Sequence, residues 1–145
     1  MTKRQFSILD AMGDEKLFAP AFRDPDSWAS WRSWLAALFA LPMTEDMLAT
    51  YRECTGRSAP PATAQREAWL VIGRRGGKSR MMALVAVYLA CFRDYRKHLA
   101  TGERCTIMVV ASDRRQSRTI LRYVSGFLNE IPMLARMIQS ARADA

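Results

Sequence analysis

The chain has 145 residues, half of them hydrophobic and a quarter charged, which suits one domain with a real core and excludes a disordered chain. Twenty-two basic and 14 acidic residues give a net charge of +8. That excess points to a polyanionic partner, either ligand phosphates or nucleic acid, or else to a solvated basic surface.

The first 24 residues are mixed and punctuated by Pro20, with Phe6, Ile8, Leu9, Leu17, Phe18 and Phe22 able to pack a short helix on a neighbour. The opening stretch, MTKRQFSILD, holds no long apolar run of the kind a signal peptide needs. Pro25 followed by Asp26 or Ser27 predicts a helix start, and the helix runs to about Ala40. Trp28, Trp31, Leu35 and Leu38 share one face of it at helical spacing, with Trp34 on a flank; such a stripe reads as core or packing surface. Leu41-Pro42 breaks it. Thr44 caps the next helix, Glu45 and Asp46 suit its dipole, and Thr55-Gly56 stops it. A loop rich in Pro, Ser and Ala follows over 55–65.

The pattern then changes. Ala68-Trp69-Leu70-Val71-Ile72 is a continuous apolar run, predicted as a strand buried on both faces. A glycine-rich turn follows, then a long helix predicted from Lys78 to about Leu99. Its apolar part, Met81 to Phe92, is too short to span a bilayer. Thr106 to Ala111 is predicted as a second buried strand. Ser112-Asp113 caps a helix from Arg114 to about Leu128, and Pro132 opens a last short one. Strand, glycine turn, helix, strand, helix implies an α/β architecture with parallel strands and a right-handed crossover.

Three scattered cysteines, Cys54, Cys91 and Cys105, and a single histidine, His98, exclude a structural zinc site and a Cys/His catalytic pair. They suit reduced, mostly buried thiols of a cytoplasmic protein.

The turn Gly73-Arg74-Arg75-Gly76-Gly77-Lys78-Ser79 carries the chemistry. Nucleotide phosphates need many donors in a small space, and a glycine turn leading into a helix supplies backbone N–H groups and partial positive charge. The general pattern, GxxxxGK[ST], is missed by one residue, because Ile72 stands where the first glycine would. Gly77-Lys78-Ser79 remains: Lys78 reaches the β- and γ-phosphates as a point charge, and the Ser79 hydroxyl holds Mg²⁺. Gly76 and Gly77 allow close approach, and Arg74 and Arg75 add positive charge. A hydrolysing site also needs an acid at a nearby strand end. Asp113 is the candidate there, and it reads more readily as a helix N-cap. Asp113 to Arg118 is dense in cations, open either to DNA phosphate contact or to a solvated helix face.

With its Trp-rich early helix, Thr55-Gly56-Arg57, Pro-containing loop, EAWLVIGRRGGKSRMMA and TIMVVASDRRQSRTI, nearly the whole chain resembles the large subunit of phage terminases. A shortened GRxxGKS loop is typical of that family. The resemblance implies a P-loop NTPase fold of RecA/helicase type, a parallel sheet with helices on both faces. It divides the chain into an N-terminal helical segment (1–62) and an incomplete ATPase core (63–145). It implies ATP and Mg²⁺ as cofactors, with Lys78 catalytic and Arg74 as a cis arginine finger. Arg57 and Gln65 become adenine-contact candidates, beside Gly73, Arg75, Gly76, Gly77 and Ser79 around the phosphates. Implied partners are double-stranded DNA, the procapsid and portal, and the small terminase subunit, in an oligomeric motor in the host cytoplasm. The family's later acidic strand end, coupling motif and carboxylate-rich nuclease domain have no counterpart in these residues. The expected activity is therefore ATP binding without efficient hydrolysis or DNA cleavage. The alternatives are another helicase-type or kinase-type P-loop protein, and a non-enzymatic basic module that binds DNA or a phage protein.

Overall fold

The computed structural model describes residues 6–138. The chain divides into two compact units, Met1–Arg74 and Arg75–Ala145.

Among the described residues the first unit is built from three α-helices. Helix α1, Ile8–Gly13, starts at a reciprocal capping box: the Ser7 hydroxyl accepts from the Asp10 amide, and the Asp10 carboxylate accepts from the Ser7 amide at 2.9 Å. Its Ile8, Ala11 and Met12 are buried, and so are Phe18 and Phe22 on either side of a single 3₁₀ turn, Ala19–Ala21. Helix α2, Ala29–Leu38, is shorter than its hydrophobic stripe predicts. Asp24 accepts from the backbone amides of Asp26 and Ser27 and from the Ser27 hydroxyl, and this closes a turn where the helix was expected to begin. Trp31 and Leu35 are buried as the stripe requires, and Trp34 meets Trp31 edge-to-face at 5.6 Å. Phe22 packs on Trp28 the same way at 4.8 Å. Each fully buried side chain of the Ile8 or Leu35 class contributes about 1.5–3 kcal/mol. Helix α3, Glu45–Thr55, has Thr44 as N-cap and Gly56 in the left-handed conformation (φ 69°) as C-cap. Its Tyr51 ring is buried with the hydroxyl making no hydrogen bond among the described residues.

The second unit pairs two long helices. Helix α4, Lys78–Phe92, buries Met81, Leu84 and Tyr88 at i, i+3, i+7 spacing, with Ala83 and Val87 beside them. It packs along α5, Arg114–Glu130, which folds back onto the short α6, Pro132–Ala135. Phe127, Ile131 and Leu134 close that core. Helix α4 ends seven residues before its predicted end at Leu99. Asp94 accepts from the Arg96 amide at 3.0 Å and from its guanidinium at 2.9 and 2.6 Å, which fixes a 3₁₀ turn over Arg96–His98. That side-chain hydrogen bond holds the exposed Asp94 carboxyl well below the usual carboxylate range.

The α/β expectation is overturned, because no residue among those described is in a strand. Neither apolar run belongs to a sheet, so there is no parallel P-loop sheet with helices on both faces. Ala68–Ile72 and Thr106–Ala111 are non-helical and lie open: Trp69 is 87% exposed, Met108 77% and Val110 81%. A strand needs backbone partners on its edges and layers over its faces, and a lone pair of strands is marginal in water. The helices that would cover such a sheet instead bury their apolar faces on each other. The thiols also differ from expectation. All three are free, but Cys54 and Cys105 are exposed and only Cys91 is half-buried, where burial pushes its thiol pKa up.

No helix of the described residues is long and apolar enough to cross a membrane.

Candidate phosphate-binding site

The loop over 73–79 is set by its glycines and by one strained arginine. Arg75 has φ 61° and Gly77 φ 79°, both left-handed, while Gly76 between them does not. Left-handed residues next to right-handed ones are the backbone pattern of anion-receiving concavities. An L side chain at Gly77 would be strained by about 1–2 kcal/mol. Gly73 is under no such demand: its φ is ordinary, and a Cβ added there would meet nothing within 4 Å.

Gly77 is also the N-cap of α4, and no side chain among the described residues caps that end. The first turn of a helix carries N–H groups without intrahelical partners and about half a positive charge. Lys78 and Ser79 open the 15-residue helix, Lys78 exposed and Ser79 half-buried. The next residue ties the turn to the neighbouring helix: the Arg80 guanidinium lies 5.4 Å from the centroid of the Tyr123 ring of α5. No acidic residue stands in the first turn of α4. The end of the helix is therefore cationic in backbone and in side chains alike.

The other expected site residues are placed as follows. Gly73 and Arg74 end the first unit, while Arg75, Gly76, Gly77, Lys78 and Ser79 begin the second. Arg57 and Gln65 are exposed loop residues of the first unit. The Arg57 amide donates to Thr55 Oγ1 at 3.2 Å, the Gln65 amide to the Leu38 carbonyl at 2.8 Å, and the Gln65 side-chain amide to the Thr63 carbonyl at 2.6 Å. The structure thus assembles Arg75 to Ser79 as one local turn.

Asp113 is an N-cap. One carboxylate oxygen accepts from the amides of Arg115 (2.7 Å) and Gln116 (3.1 Å), and the other from the Gln116 side chain at 3.3 Å. No group of three His, Cys, Asp or Glu able to hold a metal occurs among the described residues. A resident Mg²⁺ does not fit this donor set, in which Ser79 offers a single hydroxyl. A magnesium ion here would arrive as the companion of a nucleotide, held mainly by phosphate oxygens.

Two features escaped the sequence reading. The left-handed Arg75 carried no glycine to betray it. Arg122 extends the cations of 113–118 along α5, and its signal was the i, i+4, i+8 spacing from Arg114 through Arg118. A cleft of about 500 Å³ in the first unit, lined by Phe22, Arg23, Trp28 and Arg32 among others, contains none of the expected site residues.

No family model, curated protein or solved structure matches the chain.

Proposed function

We propose that the chain binds the phosphates of ATP, presented as its magnesium complex, at the turn before α4, and that it is the nucleotide-binding front part of a phage terminase large subunit. The observation that supports this most is the glycine-capped start of α4. Gly77 is left-handed and no side chain among the described residues caps the helix end, while Lys78 and Ser79 follow directly. This anion site depends on the turn and the helix alone, so it does not require a sheet behind it. Lys78 places a point charge on the outer phosphates, and the Ser79 hydroxyl adds one ligand to the ion that the nucleotide brings. Arg74, four residues ahead of Lys78, is the arginine-finger candidate for charge on the terminal phosphoryl group. Binding without efficient turnover follows on this reading, since the Asp113 carboxylate is engaged at the start of α5.

Titration of the full chain with a fluorescent ATP analogue in magnesium tests the reading. Binding weakened about tenfold or more by Lys78→Ala, with the helical circular-dichroism signal retained, is the expected result. Equal affinity in the variant, or no binding at millimolar nucleotide, would overturn it. Robust steady-state hydrolysis abolished by Lys78→Ala would overturn its second half.

A further inference from the structure

The cleft of about 500 Å³ in the first unit takes no part in the turn before α4. A volume of that order suits a small organic ligand. Every residue that lines it falls between Met12 and Arg32, so it belongs to the first unit alone. Helix α1 supplies the buried Met12. The chain then turns through Ala19–Ala21 and delivers Phe22, which meets Trp28 with the two rings 82° apart. Trp28 and Arg32 are one turn apart at the start of α2, and the Arg32 amide donates to the Trp28 carbonyl at 2.9 Å. At that spacing they share a face. Arg23 is anchored differently. Its Nε donates to the Pro20 carbonyl at 3.0 Å, which leaves the two terminal nitrogens of its fork to a ligand.

The charges that line the cleft are unengaged. Arg32 is half-buried, and its guanidinium makes no hydrogen bond or ion pair among the described residues. A cation partly withdrawn from water without a partner carries a desolvation cost that an incoming anion offsets. Glu15 lines the same cleft and pairs with neither arginine. Two guanidiniums against one carboxylate leave the lining with a single surplus positive charge.

We propose that this cleft binds a small aromatic monocarboxylate, with Arg32 and Arg23 on the carboxylate and Phe22 and Trp28 against the ring. The planar fork of a guanidinium matches the two oxygens of a carboxylate. Two rings set nearly at right angles suit a flat ligand, which can stack on one and meet the other by its edge. A flexible alkyl chain is a poorer fit, because it loses rotamer freedom on entering. The single surplus charge matches one carboxylate, and Glu15 opposes ligands with more negative charge, nucleotide phosphates among them. The site is separate from the turn before α4 and stands whether or not nucleotide binds there.

Titration of the full chain with naphthoate, followed by saturation-transfer NMR and calorimetry, tests the proposal. Saturable binding at about 1 mM or tighter is expected. The uncharged analogue naphthalenemethanol should bind about fivefold more weakly or worse. Arg32→Gln should weaken naphthoate about tenfold, and Arg32→Lys less, because it keeps the charge and loses the fork. Arg66→Gln removes an exposed arginine of the same unit outside the cleft and should leave binding unchanged. Glu15→Gln should narrow the preference for naphthoate over naphthalenedicarboxylate. If Arg32→Gln loses its helical circular-dichroism signal, Arg23→Gln makes the same test at an exposed position. Equal affinity for naphthoate and naphthalenemethanol would overturn the proposal, as would the absence of saturation at millimolar naphthoate. So would tighter binding of decanoate, or displacement of naphthoate by magnesium ATP in both the parent chain and Lys78→Ala.

Discussion

Gly77 and Gly73 bracket the same turn but answer to different constraints. Gly77 holds a left-handed φ of 79° at the first cap of α4, so Gly77→Ala should cost about 1–2 kcal/mol and, on the proposed function, weaken nucleotide binding. Gly73 faces open space, so Gly73→Ala should change stability by no more than about 0.5 kcal/mol. Urea denaturation followed by circular dichroism, run beside nucleotide titration, checks both. Equal effects of the two substitutions would show that the turn does not hold the shape described. Arg75 makes the complementary case. Its φ of 61° is a conformation that glycine adopts without penalty, yet the position is held by a cation. Arg75→Gly would relieve the backbone and remove a charge from the same turn, and the two effects can be separated by stability and by binding.

Among the secondary-structure elements, the sequence was most readable where a single residue does local work. Thr44 and Asp113 cap α3 and α5, Gly56 closes α3 in the left-handed conformation, and Pro132 opens α6, all as composition suggests. Each of these depends on hydrogen bonds within a few residues. The end of α4 was misjudged because Asp94 bonds to the Arg96 backbone and guanidinium, in competition with continued helix. The apolar runs at Ala68–Ile72 and Thr106–Ala111 were misjudged for a non-local reason. A run of Val, Ile and Met states a preference for extended backbone but does not say which backbone it will pair with. The turn over 73–79 was legible as a glycine-rich break before a helix, and its left-handed φ at Arg75 was not. Thr106–Ala111 makes no hydrogen bond among the described residues. Its amides should therefore exchange with solvent close to the rate of an unstructured peptide, while those of Leu84 to Tyr88 in the buried part of α4 are protected. Hydrogen exchange read by mass spectrometry on the full chain checks this. Protection over 106–111 comparable to α4 would mean that the segment is paired in solution.

For the whole molecule, a net charge summed over 145 residues conceals its distribution. The bulk figure left nucleic acid, ligand phosphate and solvated surface equally open. Met1–Arg74 carries nine basic and nine acidic residues and Arg75–Ala145 carries 13 basic and five acidic, so the whole excess belongs to the second unit. The partition has a thermal consequence. A unit with 13 cations and five carboxylates repels itself when folded, and unfolding relieves part of that repulsion. Added salt screens it. Calorimetry of the full chain should thus show the transition that melts α4 and α5 moving to higher temperature with salt. Melting of α1 to α3 should scarcely respond. The concentration of cations in this unit would then limit its heat resistance until salt or a bound anion screens them.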